Sequence, residues 1–242
     1  MRKLRKLLVL LRNPVYRRGL LHGVGATTEH RHFLSRQKFM TVLDAGANKG
    51  QFSLAVRAQF PRAQILAFEP LSEPAAIFRR LFGQDRCVTF FSIALGSQSG
   101  KQVIHISRRL DSSSLLPIGD LQSKIFPGTE EARTEEIRVE CLDSILAGRD
   151  LPAPVLLKVD VQGFEQHLLL GAEETLCRVS TIYIELSFVP LYHGQALAGD
   201  IIQWLQARNF ALAGIYNLAQ DPTGKTVQAD FHFERRDAGA AL

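Results

Sequence analysis

The stretch that most constrains this chain is Thr41-Val42-Leu43-Asp44-Ala45-Gly46-Ala47-Asn48-Lys49-Gly50-Gln51-Phe52. An apolar run ends in an acid, passes through small residues and glycines, and opens into a new apolar-periodic segment. That order predicts a buried strand, a tight turn and the first turn of a helix. Glycines at 46 and 50 let the backbone approach a ligand and adopt positive φ, and the free N–H groups of the new helix point at whatever sits over the turn. The spacing is neither G-x-G-x-x-G nor a P-loop. Asp44 suits a ligand with a positive amino group and would repel a pyrophosphate.

A second apolar run, Gln64 to Phe68, ends in Glu69-Pro70. In a doubly wound sheet an acid at that point lies beside the first turn and can accept both hydroxyls of a ribose. Glycine turn and ribose acid together predict a nucleoside cofactor at the carboxyl edge of a parallel sheet.

Four motifs in this order carry a family resemblance: Asp44-Ala-Gly-Ala-Asn-Lys-Gly50, Phe68-Glu-Pro70, Asp111-Ser-Ser-Ser-Leu115 and Leu157-Lys-Val-Asp-Val-Gln-Gly-Phe-Glu165. Over about residues 40 to 235 the chain resembles FkbM-type S-adenosylmethionine-dependent methyltransferases. The resemblance implies a class I methyltransferase (Rossmann-like) fold, a doubly wound, mostly parallel α/β sheet ending in an antiparallel hairpin. It also implies S-adenosyl-L-methionine as cofactor and, usually, O-methylation of a sugar or polyketide-like hydroxyl. Asp44, Gly46, Asn48 and Gly50, with Ala47 and Phe52 of the same stretch, become candidates for the amino-acid part of the cofactor. Glu69 with Pro70 is placed at the ribose, and Ser92, Ile93 and Ala94 at the adenine. Ser113 and Ser114 fall in a serine motif read as a lid over cofactor and acceptor.

The 242 residues suffice for one domain with a short appendage. With 46% hydrophobic and 22% charged residues, the chain can bury a full core. The net charge of +5 would fit a nucleic-acid binder. The excess, however, lies in Arg2, Lys3, Arg5, Lys6, Arg12, Arg17 and Arg18; the rest is close to neutral. Residues 1–37 read as a basic helical segment and 38–242 as the catalytic domain. Leu4, Leu7, Leu8 and Leu11 mark one face of a helix over residues 1–12, which either packs on the domain or a partner subunit or lies on an anionic membrane surface. Peripheral membrane contact through residues 1–18 and a homo-oligomer both stay open. Cys87, Cys141 and Cys177 form no C-x-x-C pair and read as buried reduced thiols of a cytoplasmic protein. His22, His30 and His32 read as exposed linker residues.

Further along, βα alternation predicts helices over Gln51 to Gln59 and about Glu73 to Phe82, and a third strand over Val88 to Leu95. Gln102 to Ser107 and Glu136 to Cys141 read as a strand pair flanking a long Ser/Gly/Pro-rich loop. Val155 to Asp160 is an apolar run broken only by Lys158, as a central parallel strand would be. Thr181 to Ser187 is the next strand, Ala196 to Arg208 a helix, and Phe210 to Leu218 with Val227 to Arg235 a hairpin.

A sugar hydroxyl is a weak nucleophile and benefits from a general base. By position the candidates are His193, Asp160 and Glu185, in that order. Asp160 also lies near the transferring methyl group, and Glu165 is either a helix acid or a catalytic one. A divalent cation on Asp160, Glu165 or Glu185 is the weaker alternative, and no metal is expected. No [ND]-P-P-[YF] motif or Pro-Cys pair is present, which argues against nucleic-acid N- or C5-methylation and makes nucleic acid an unexpected partner. The expected acceptor is a small molecule or glycan. An RNA methyltransferase and a catalytically silent cofactor-binding assembly subunit are the alternatives.

Overall fold

In the computed structural model, residues 11–236 are described. But for Leu11 and Arg12, the helix expected over residues 1–12 falls outside them, as does the C-terminal tail. The first complete helix is α1 (Pro14–Leu21). Asn13 Oδ1 accepts the Val15 N–H at 2.9 Å and proline takes the first helical turn, so the Asn-Pro pair acts as a start signal. Gly19 lies so close to the domain that a Cβ there would stand 2.3 Å from Leu54 Cδ2.

The main sheet has strands β1 (Thr41–Ala45), β2 (Gln64–Phe68), β3 (Val88–Phe91), β7 (Val155–Val159), β8 (Thr181–Ser187), β9 (Phe210–Gln220) and β10 (Thr226–Arg235). Their order is β3-β2-β1-β7-β8-β10-β9. The first five neighbours pair parallel, and the β9–β10 hairpin closes the edge antiparallel. Both faces of the central strands β1 and β7 are buried, which is why they read as continuous apolar runs rather than alternating ones. Val42, Ile65, Ala67 and Leu156 face one core, shared with α1, α2 (Arg31–Leu34), α3 (Gln51–Gln59) and α4 (Ser72–Phe82). Leu43, Leu66, Leu157 and Ile182 face the other, beneath α6 (Leu142–Leu146), α7 (Glu165–Leu170), α8 (Glu173–Leu176) and α9 (Ala198–Gln206).

The expected third strand is split. β3 ends at Phe91, and β4 (Ala94–Leu95) leaves for a second sheet of order β4-β6-β5. There β5 (Gly100–Ser107) and β6 (Glu131–Glu140) form the expected antiparallel pair. The segment between them is not a plain loop. It holds α5 (Asp120–Ile125), and Ser114 exchanges backbone hydrogen bonds with His105 at 2.7 and 3.0 Å. The cysteines also depart from expectation. All three are free, but Cys87 and Cys177 are exposed and Cys141 is half-buried, because each sits at the rim where an element begins or ends.

Residues 13–34 are part of the core rather than a tether. Phe33, 1% exposed, stacks on Tyr183 of β8 at 4.1 Å between ring centroids and meets His232 of β10 edge-on. Deleting a buried phenyl group costs the transfer free energy plus that of the cavity left behind. Phe33→Ala is therefore expected to lower unfolding stability by about 3–5 kcal/mol, read as a shift in urea midpoint. An unchanged midpoint would mean that this segment docks without supporting the domain.

Candidate active site

The parallel strands end along one edge, and a cavity of about 560 Å³ opens there, within the range of small-molecule sites. Its floor is the glycine turn. Gly46 has φ +74°, and a Cβ on it would lie 1.8 Å from the carbonyl oxygen of Asp160. Only glycine fits, because β1 and β7 run side by side and their following turns touch. Gly50, at φ +93°, caps α3 against the rings of Phe78 and Phe82. Asn48 adopts the left-handed region at φ 48°, which asparagine tolerates.

Beneath the turn, Lys158 is the one charge in an otherwise apolar strand. Its Nζ donates to the carbonyl oxygens of Gly46 at 2.9 Å and Ala45 at 3.2 Å, and stands 3.4 Å from Asp44 Oδ1 and 3.6 Å from Asp160 Oδ2. Burial alone would lower its pKa, but Asp160 and Asp44 hold the ammonium above its ordinary value. Asp44 itself is fully buried. Ser53 Oγ donates to its Oδ2 at 2.6 Å, and the residue does not line the cavity. The contact expected between Asp44 and a ligand's amino group is not made by a cavity-lining carboxylate: the Asp44 charge is met by Lys158, which itself lines the cavity floor. Ala45, Gly46, Ala47, Asn48 and Phe52 do line the cavity, whereas Gly50, expected beside them, faces Phe78 and Phe82 and does not.

Glu69 lies in the wall with Pro70. Its Oε2 accepts the Asn48 N–H at 3.0 Å and its Oε1 that of Leu71 at 2.9 Å, which tie the two strand ends together. Each oxygen keeps a second lone pair for a ligand. Burial outweighs those two hydrogen bonds and raises its pKa to about 7. Ile93 and Ala94 line the cavity beside Phe68, whereas Ser92 is exposed and outside it, because the chain turns between β3 and β4 and throws its side chain outward. Ser113 and Ser114 also form wall, but their hydroxyls are used internally: they accept the N–H groups of Ser107 and Leu116. The serine motif thus holds its own loop in place.

Asp160 and Glu185 are brought together at the polar end. Gln162, at φ 55°, donates from Nε2 to Asp160 Oδ1 at 2.8 Å and to Glu185 Oε2 at 2.9 Å. Tyr192 Oη donates to its Oε1 at 2.8 Å. Burial, then repulsion from Asp160, Asp230 and Glu165, lifts the Glu185 pKa well above the carboxylate range. Glu165 serves its loop instead: fully buried, it accepts the N–H of Gly163 at 2.9 Å and does not line the cavity. His193, ranked first as a base, is exposed and stands outside the cavity lining; the turn after Tyr192 carries it to the surface. His30, read as an exposed linker residue, lines the cavity instead with its side chain only 15% exposed, alongside Asn217 and Asp230. Among the described residues no group of three His, Cys, Asp or Glu side chains is arranged to hold a metal ion, and no helix is long and apolar enough to cross a membrane.

Of the residues that escaped the sequence reading, Lys158 had a signal: a lone charge in a buried strand demands a counter-charge. Gln162 lay inside a quoted motif but says nothing by itself of its bridging role. Asn217 and Asp230 had no local signal.

A five-stranded parallel sheet closed by an antiparallel hairpin, with a glycine turn and an acid on adjacent strand ends, defines a class I methyltransferase. Within that class, residues 44–212 match the sequence profile described as the methyltransferase FkbM domain, and the chain belongs to that family. S-adenosyl-L-methionine is accordingly its cofactor. The chain is 27% identical over 190 residues to 2-O-methyltransferase NoeI of Sinorhizobium fredii, covering 73% of this chain and 76% of that protein. It is 26% identical over 235 residues to 31-O-demethyl-FK506 methyltransferase FkbM of Streptomyces tacrolimicus, covering 86% and 85%. A putative O-methyltransferase from Klebsiella pneumoniae shares the fold with a TM-score of 0.51 at 14% identity, over 95% of this chain and 90% of that one.

Removing one partner of a buried ion pair leaves an uncompensated charge. Lys158→Met is expected to destabilise the protein by about 3–5 kcal/mol in urea unfolding, and adding Asp44→Asn to recover part of that loss. Equal stability of the single variant and the native chain would show that the ammonium does not hold the turn.

Proposed function

We propose that this enzyme transfers the methyl group of S-adenosyl-L-methionine to a hydroxyl of a sugar, a glycan or a specialised metabolite. The observation that carries the reading is the polar end of the cavity. Asp160 and Glu185, joined by Gln162, stand there with Asp230 and Asn217, a set of acceptors and amides suited to a ligand rich in hydroxyl groups. The names of two relatives, a 2-O-methyltransferase and a methyltransferase of an O-demethyl compound, support transfer to oxygen.

When bound, the cofactor supplies a methyl group on a sulfonium, open to in-line displacement by a nucleophile. The turn from Gly46 to Asn48 gives the amino-acid part close backbone approach, and Glu69 accepts the ribose hydroxyls. Phe68, Ile93 and Ala94 offer apolar walls to the adenine. Ordered side chains at the opposite end fix the acceptor, and such positioning supplies much of the acceleration when the methyl donor is already activated.

Two measurements test this reading. Incubation with methyl-labelled S-adenosyl-L-methionine and panels of sugars, glycans and hydroxylated metabolites is expected to yield a labelled methyl ether; label found only on nitrogen or nucleic acid overturns it. The second concerns Glu69, which must ionise to accept both ribose hydroxyls. Its pKa of about 7 means that at lower pH the proton must first leave. Affinity for S-adenosylhomocysteine is thus expected to rise with pH up to about 7, by at most about tenfold per unit, and then level off. In Glu69→Gln this part of the dependence disappears and binding weakens by about tenfold or more, as loss of charge-assisted bonds requires. A variant that keeps the native affinity and slope would remove Glu69 from the ribose.

A further inference from the structure

The N-terminal segment forms part of the same cavity wall, through Gly25, Thr27, Glu29 and His30. His30 enters this wall from the turn before α2. The segment is fixed to the cofactor turn, since Thr27 donates from both N and Oγ1 to the Gln51 carbonyl at 3.4 and 3.3 Å. The His30 ring meets Phe52 edge-on at 5.3 Å and Tyr183 at 5.5 Å, so its plane is set by two buried aromatics.

Behind the ring lies a closed network. Tyr183 Oη donates to Asp230 Oδ2 at 3.0 Å, and Asn217 Nδ2 donates to the same oxygen at 2.7 Å. The hydroxyl hydrogen of Tyr183 is therefore committed, and its oxygen accepts from His30 Nδ1, 3.1 Å away. Asp230 Oδ2 lies 3.4 Å from that nitrogen and favours the same proton position. Asn217 Nδ2, 3.2 Å from Nδ1, can only donate, and its hydrogens have Asp230 and the Tyr183 oxygen as acceptors. Nδ1 thus carries the hydrogen. Nε2 keeps its lone pair and has no hydrogen-bond partner among the described residues. An imidazole oriented through Nδ1 by a buried carboxylate, with Nε2 bare at a cavity, is the arrangement of a general base.

We propose that His30 is the catalytic base of the methyl transfer, oriented by Asp230 and Tyr183 and taking the acceptor's hydroxyl proton at Nε2. This rests on the O-methylation reading above. The acceptor O–H bond breaks toward Nε2 as the oxygen forms its bond to the methyl carbon. The methyl–sulfur bonding pair stays with sulfur, leaving the neutral thioether. The positive charge lost there reappears on the imidazolium, where Asp230 offsets it, until the proton passes to water. Asp230 is prepared for this. Burial raises its pKa, but the His30 ring 3.4 Å away, with hydrogen bonds from Asn217 and Tyr183, more than offsets that and holds it below the ordinary carboxylate value. Asp160 and Glu185, by contrast, already accept the amide hydrogens of Gln162.

The first test needs no acceptor. In the full-length protein with S-adenosylhomocysteine bound, long-range nitrogen–proton spectra of labelled histidines locate the ring hydrogen, with His30→Gln assigning the signals by their loss. Hydrogen on Nδ1 and a bare Nε2 are expected; hydrogen on Nε2 overturns the proposal. The second test is turnover with a hydroxyl acceptor found above. His30→Gln is expected to lose about 100-fold or more in kcat, the scale of general base catalysis, while its affinity for S-adenosylhomocysteine stays native. A loss of less than about tenfold overturns the proposal and leaves O-methylation standing. If the native enzyme methylates no hydroxyl at all, the O-methylation reading fails, and the base assignment fails with it wherever the spectra place the hydrogen.

Discussion

An ammonium buried under the cofactor turn holds the active edge of this enzyme together. Lys158 sits on the central strand β7 between Asp44 at the end of β1 and Asp160 at its own end, and it bonds the carbonyls on which the glycine turn begins. A charge withdrawn from water is tolerated only when its partners surround it. The three charges therefore fix the relative placement of two strands and two turns at once. The cavity floor inherits that rigidity, and Asp44 becomes a foundation rather than a ligand contact.

The acceptor end is organised differently, by a carboxamide and by aromatic packing. Gln162 keeps two carboxylates close by donating to both. Beside them, where Asp230 of β10 pairs with Glu185 of β8, Phe33, Phe52, Tyr183 and Tyr216 surround the His30 and Asp230 network. The segment before β1 contributes structure and chemistry together: Phe33 anchors it on the sheet, and three residues earlier His30 reaches the cavity.

The strands and helices from residue 41 onward were largely legible because their signals are local. Apolar runs bounded by Gly, Pro and acids give strand ends, and glycines with positive φ mark turns. The cofactor half of the cavity was legible for the same reason, since Gly46, Asn48 and Glu69 lie within one βαβ unit. Reading failed where a side chain's environment depends on distant chain. Ser92 follows β3 in sequence but points outward once the chain crosses to the second sheet. His193 lies near Glu185 in sequence yet reaches solvent, and Asp44 ends β1 as expected but meets Lys158 instead of the cavity.

The sequence by itself determined the doubly wound sheet, the site of its glycine turn and the family, because backbone geometry, hydrophobic period and short motifs are properties of contiguous residues. Only the tertiary structure decided which polar groups share the cavity. His30, Tyr183, Asn217 and Asp230 come from the segment before the first strand and from three strands at the far side of the sheet. Their meeting is set by sheet order and by the packing of Phe33 on Tyr183, which no local pattern encodes.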